Sequence, residues 1–265
     1  MCIFSQSVRR VSQTNIFARV VGEKQFLVYE MSLASETDVA MILPLPARSG
    51  DDSVSFINLS RYSSFFSDMD RCFPRPMSRS QTLSVAAGAR ETLIVYRVGA
   101  FDASFVPKRS EFDRLDPRFR LRQDLWSALP QYADYGFAVF QLRAGDAHIH
   151  PMALSFLSAD PALLYFPTVH IHDNAVHETA EFDHALFAQA VADTPEWHNS
   201  PILPREVMDF GNLVVSDRTR GTVNPTLPIA RRIIRGISTN ADTWVAVRHN
   251  GGTPANFNSA DSTDS

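Results

Sequence analysis

NIFARVVGEKQFLVYEMSL, residues 15–33, holds two runs of strand-forming residues, 15–21 and 24–33, on either side of Gly22-Glu23. A two-residue connector containing glycine, set between β-branched and aromatic runs, is the short-range mark of a β-hairpin. Working outward, residues 38–43 form a third apolar run, closed by Pro44 and Pro46, which have no N–H to give to a ladder. Residues 53–59 form a fourth. Leu59, Tyr62, Phe65, Phe66, Met69, Cys72 and Phe73 then recur at helical spacing. That spacing predicts a helix over 60–73, stopped by Pro74 and Pro76, with Cys72 as a buried thiol on its core face.

Beyond it, residues 74–81 (PRPMSRSQ) are expected to be a surface loop, and strands are expected at 82–87 and 91–98. Residues 108–122 interleave charge with Phe112, Leu115, Phe119 and Leu121, which suggests a segment laid loosely over the core. A short helix is expected at 124–132. Strands follow at 136–142, 147–157 and 162–173. The alanine-rich run TAEFDHALFAQAVAD predicts a helix over 180–192 with Thr179 as its N-cap. The polar tail, 250–265, has almost nothing to bury and is expected to be disordered. Strands outnumber helices, so the expected class is α+β: residues 1–249 as one antiparallel, β-rich domain with a few helices packed on the sheet.

Composition narrows the function. The 265 residues are 45% hydrophobic and 20% charged, ordinary for a globular protein, with a net charge of −4. No basic stripe appears, which argues against a nucleic-acid partner, because phosphate binding needs clustered Lys and Arg. The first fifteen residues are polar after Phe4 and lack a signal-peptide core. The longest apolar runs are too short to cross a bilayer. These features lead us to expect no membrane partner and a cytoplasmic location. The two cysteines, Cys2 and Cys72, make no disulfide framework.

Histidine placement is the strongest chemical signal. Six of the eight histidines, His148, His150, His170, His172, His177 and His184, lie within 37 residues, where an even spread would put about one. His148-Ile149-His150 and His170-Ile171-His172 each put two imidazoles on one side of a strand, because strand side chains alternate with period two. A hairpin symmetric about residue 160 would bring His148 opposite His172 and His150 opposite His170, four imidazoles on one face. Pro151 and Pro167 lie inside those runs, where they can force a bulge and shift the register. Imidazole ligation suits zinc, copper or iron. Asp173, His177 and His184 are then expected as catalytic or orienting neighbours, with Glu178 and Glu181 as further carboxylates in reach. Cys2, following Met1, is a candidate nucleophile or metal donor.

One resemblance runs through residues 2–160. The run Ala40-Met41-Ile42-Leu43-Pro44-Leu45-Pro46, then Val98-Gly99-Ala100-Phe101-Asp102, then Tyr135-Gly136-Phe137-Ala138-Val139-Phe140-Gln141-Leu142, after a cysteine-containing start, resembles an uncharacterised bacterial domain family. The resemblance implies a single β-rich unit and no particular activity.

The sequence thus favours a metal-dependent enzyme with His148, His150, His170 and His172 as ligands, acting on a small-molecule substrate by hydrolysis or oxidation. The rivals are a non-catalytic metal-binding or structural protein and an N-terminal-cysteine hydrolase. Substrate, metal identity and oligomeric state are not readable, since no phosphate loop or dinucleotide fingerprint is present.

Overall fold

The computed structural model of the chain describes residues 3–50, 53–73, 102–205, 207–208, 211–212 and 214–248. Cys2, the loop expected at 74–81, the strands expected at 82–87 and 91–98, and the tail at 250–265 lie outside the described residues.

The expected hairpin forms. Strand β2 (Arg10–Val21) pairs antiparallel with β3 (Lys24–Ser35), closing at Val21 and Lys24. Gly22 takes a φ of +60° in the connector, a left-handed conformation that glycine adopts without steric cost. Around this hairpin, among the described residues, a seven-stranded sheet runs in the order β11-β14-β10-β2-β3-β8-β5. Its other members are β5 (Val54–Asn58), β8 (Gly145–Leu157), β10 (Thr179–Ala188), β11 (His198–Asn199) and β14 (Ala230–Thr239). A four-stranded sheet, β1-β4-β7-β6, comprises β1 (Ile3–Phe4), β4 (Val39–Leu45), β6 (Ala103–Val106) and β7 (Gly136–Leu142). Two small pairs complete the strands: β9 (Leu163–Phe166) with β15 (Thr243–Ala246), and β12 (Val207–Met208) with β13 (Gly211–Asn212). The result is a single α+β domain dominated by antiparallel sheet.

The two large sheets bury a shared core. Ile16, Ala18, Leu27, Tyr29, Leu154 and Leu186 from the larger sheet meet Met41, Leu43, Ala138 and Phe140 from the smaller. The outer face of each sheet is covered too. Ala40, Ile42, Phe137 and Val139 pack under Phe112, Phe119, Leu121 and Trp126. Phe17, Val28, Ala153 and Phe187 pack under helix α1 (Phe65–Asp70) and its flanking turns. Strand β4 is therefore buried on both faces, which is why its sequence reads as an unbroken apolar run instead of an alternating one.

Several local expectations change. The helix expected over 60–73 contracts to α1, although Phe65, Phe66, Met69 and Cys72 are buried as its spacing required. Residues 108–122 are not a loose cover: two 3₁₀ turns, Arg109–Arg114 and Pro117–Phe119, bury Phe112 and Phe119. The short helix expected at 124–132 is α2 (Gln123–Ser127) followed by a 3₁₀ turn, Pro130–Tyr132. The helix expected over 180–192 is strand β10, and Thr179 is its first residue, not an N-cap. Alanine favours helix locally, but β10 gains a ladder on both edges, parallel to β2 and antiparallel to β14. Phe182, His184, Leu186 and Ala188 alternate into the interior, and burial outweighs propensity.

The hairpin about residue 160 does not form. β8 lies between β3 and β5, so it has no edge for β9, and β9 pairs with β15 instead. Pro151 falls where a bulge was expected: Glu30 on β3 stands opposite both His150 and Pro151, between the pairs Tyr29–Met152 and Met31–Ile149. A second bulge, with Gln13 at a φ of +53°, faces the other edge of β3.

Among the described residues no helix is long and apolar enough to cross a membrane. The layer of α1 over the larger sheet leads to a stability prediction. Phe65 is fully buried and packs edge-on against Phe17, with ring centroids 5.9 Å apart. Phe65→Ala should lower the unfolding free energy by about 3–5 kcal/mol in urea titration. Val21→Ala, at a half-exposed site, should cost under about 1 kcal/mol. Equal effects would mean that α1 is not a structural layer.

Candidate functional site

After β9 the chain leaves regular structure at Pro167 and runs as Pro-Thr-Val-His-Ile-His-Asp. A buried irregular segment must still satisfy its backbone groups. Asp242 and Asn240, in the turn between β14 and β15, take most of that role. Asp242 Oδ1 accepts from the N–H of Thr168 at 2.8 Å and of Val169 at 3.1 Å. Its Oδ2 accepts from the hydroxyls of Tyr132 at 2.7 Å and Tyr165 at 2.8 Å. Asn240 pairs with His170 as a strand would: the His170 N–H donates to Oδ1 at 2.7 Å, and Nδ2 donates to the His170 carbonyl at 2.9 Å. From the other side, β1 bridges in parallel to Ile171, and Phe4 N–H donates to the Ile171 carbonyl at 3.1 Å. Val8 N–H donates to the carbonyl of His172 at 2.9 Å.

This clasp sets His170 and His172 beside His184 of β10. The ring centroids of His170 and His172 are 5.1 Å apart at 18°, and those of His170 and His184 are 5.1 Å apart at 27°. Phe182 lies 4.2 Å from His170, and Phe4 lies edge-on to His172 at 5.5 Å. His170 is 6% exposed and His184 2%. Burial is the main cause that lowers all three imidazoles below their ordinary range, His170 to about 2 and His172 to about 4, with His184 lowered as well. Buried polar atoms are normally hydrogen-bonded, yet Nε2 of His170, Nε2 of His172 and both ring nitrogens of His184 have no partner.

The other sequence candidates separate from this group. His148 lies on β8 opposite Ser32 of β3. Its Nε2 is 3.2 Å from Glu30 Oε1, and its Nδ1 is 3.3 Å from Ser32 Oγ. The hydrogen bond to buried Glu30 raises its pKa, while burial lowers that of His150. With both ring nitrogens engaged, His148 is not set up as a ligand, and the four-histidine face expected from the two H-x-H pairs is not formed. His177 is exposed and held to Asp173 at 2.8 Å, so Asp173 turns toward His177 and not toward the buried rings. Cys2 lies outside the described residues; the described chain starts at Ile3, bridged to Ile171.

His184 is the member that sequence reasoning misplaced. It was assigned a supporting role on a helix, whereas β10 carries it into the interior. The signal was present in Phe182, His184 and Leu186, an alternation of period two hidden by the alanines. Among the described residues no three or more His, Cys, Asp or Glu side chains have donor atoms converged for a metal ion. The three rings are stacked, so each in-plane lone pair points along its own plane. Ligation by all three requires the rings to turn out of the stack.

No protein-family model matches the chain, and no curated protein does. Among solved structures, a chain of the crystal structure of a caspase-8/p35 complex is similar at 12% identity with a TM-score of 0.42, over 89% of this chain and 96% of that one.

Two predictions follow from the geometry. Asp242→Ala would leave two buried tyrosine hydroxyls and two N–H groups without their acceptor. It should cost at least about 3 kcal/mol by urea unfolding, and a loss under about 1 kcal/mol would dismiss the clasp. The second concerns pH, in protein held with a chelator. His170 and His172 stay neutral in the fold below the ordinary histidine value of 6.5 while the unfolded chain takes up protons. Their contribution is intact above pH 6.5 and is lost as pH falls from there through about 4 and about 2. Each neutral group costs about 1.4 kcal/mol per pH unit in that window. His148 has the opposite sign: its contribution is full below 6.5 and fades as pH rises through its raised value. Thermal unfolding from pH 4 to 8 should show the acid limb, and His172→Gln should flatten it. An unchanged melting temperature between pH 6.5 and 4.5 would contradict the buried neutral cluster.

Proposed function

We propose that the protein binds a transition-metal ion through His170, His172 and His184, in a binding role and not a catalytic one. The observation that carries this reading is the set of four unpartnered, shielded ring nitrogens on three adjoining imidazoles, His170 and His184 buried and His172 half-buried. Imidazole must be neutral to ligate, and burial holds these rings in that form at neutral pH. The same burial makes them poor acid–base groups, because a catalytic proton carrier works best with a pKa near the working pH. Asp173 is engaged with His177 and supplies no base at the rings. An all-imidazole set favours zinc, copper or iron over magnesium or calcium. Cys2 keeps its candidacy from the sequence as an additional donor, which a Cys2→Ser variant tests through loss of any thiolate-to-metal charge-transfer band with cobalt.

Elemental analysis of untagged protein and calorimetric titration with zinc test the reading. One metal per chain is expected, with His170→Gln, His172→Gln and His184→Gln each weakening binding by at least about 100-fold. His148→Gln and His150→Gln should bind as the parent does. Absence of zinc, copper and iron binding at micromolar concentration would reject the proposal. Loss of binding in His148→Gln but not in His184→Gln would return the site to the two H-x-H pairs.

A further inference from the structure

A cleft of about 710 Å³ opens beside the three histidines and is lined by His170, His172, Asp173, Glu181, Asp183 and Arg235 among others. His170 is the buried wall of this cleft, only 6% exposed and with an unpartnered Nε2. The mouth is more acidic than basic. Asp173, Glu181 and Asp183 are three carboxylates against the guanidinium of Arg235 and the imidazole of His177, which is held to Asp173 at 2.8 Å, so acidic groups outnumber basic ones three to two. Arg235 lies 3.9 Å from Asp183 and so partly cancels it, and Asp183 also accepts from Gln13 N–H at 3.1 Å. Glu181 is exposed.

The opposite side of the cluster differs. The neighbouring cleft of about 660 Å³, which His184 lines, sets Glu30, Asp70 and Asp183 against Arg231, Arg235 and His148. There Asp70 is paired with Arg231 and Glu30 with His148. Near-balanced charge gives that side little pull on a free ion.

We propose that the acidic cleft is the route by which a hydrated divalent cation reaches the histidines, so that the ligand is the free aquo ion and not a metal held in an anionic complex. This rests on the metal-binding reading above. A cleft of one sign with low-dielectric walls focuses its field and raises the local concentration of the opposite charge, which acts on the association rate and is screened by salt. Glu181 sits exposed on β10 at the mouth of the cleft without being one of the three ligands, so its charge changes arrival and not the bound state.

Stopped-flow exchange of zinc from a fluorescent chelator tests this on the full chain. Glu181→Lys should slow association at least about threefold at 20 mM salt, and Arg235→Glu should speed it by a similar factor, with dissociation unchanged. Both differences should vanish at 0.5 M salt. Glu111→Lys, in the 3₁₀ turn over the outer face of the smaller sheet, makes the same change in net charge and should leave the rate as it is. Zinc binding with rates indifferent to Glu181 and Arg235, or equally sensitive to Glu111, overturns the route and leaves the metal site standing. A folded parent chain that binds no zinc overturns both. Circular dichroism of each variant separates a lost fold from a lost charge.

Discussion

Asp242 is a buried carboxylate that accepts four hydrogen bonds and faces no cation among the groups that hold it. Burial pushes its carboxyl up, and the tyrosine hydroxyls and backbone donors around it push back. A charge or proton in that position is sustainable only while those donors stay in place. The carboxylate therefore ties together α2's following turn through Tyr132, β9 through Tyr165, and the irregular segment after β9 through Thr168 and Val169. Pro167 has no N–H to give to a ladder, and without Asp242 and Asn240 the N–H groups of Thr168, Val169 and His170 would lose their acceptors. The position of His170 and His172 follows from these bonds together with those of Asn240 to His170 and of Phe4 and Val8 to Ile171 and His172.

The other half of the site comes from topology. β10 inserts between β2 and β14 and presents His184 on the same face as Leu186 and Ala188, toward the core shared by the two sheets. His170 lies against both His172 and His184, and these rings, two buried and His172 half-buried, are kept neutral by the cost of bringing charge into that interior. Neutrality and unpartnered nitrogens together distinguish this group from the His148–Glu30 pair, where a buried carboxylate and a serine hydroxyl already occupy the ring.

The parts of the fold that were legible in the sequence are those set by local chemistry. Gly22-Glu23 marked the hairpin, the apolar run closed by Pro44 and Pro46 marked strand β4, and the crowding of histidines marked the region of the candidate site. What was not legible depended on long-range pairing. The two H-x-H motifs look like matched strands, but β3 takes one edge of β8 and β5 takes the other over Met152–Phe156, where β9 would have paired, and nothing in residues 145–173 reveals this. The alanines of β10 favour helix in isolation, and only its two neighbouring strands make the extended form better. His184 was undervalued for the same reason: its face is defined by partners 50 and 170 residues away, Ile234 and Thr14.

The central claim is that three adjoining imidazoles are neutral, carry unpartnered nitrogens and ligate a metal by turning out of their stack. Long-range proton–nitrogen NMR of the imidazole rings, recorded from pH 7 to pH 4.5 and then with one equivalent of zinc at pH 7, tests it most directly. The account predicts that His170 and His184 keep the nitrogen shifts of neutral rings down to pH 4.5, that His172 keeps them to about pH 5 and begins to titrate below it, and that one nitrogen of each moves on adding zinc, while the rings of His148 and His177 do not respond to the metal. Protonation of the three rings near pH 6.5 together with no response to zinc would contradict it.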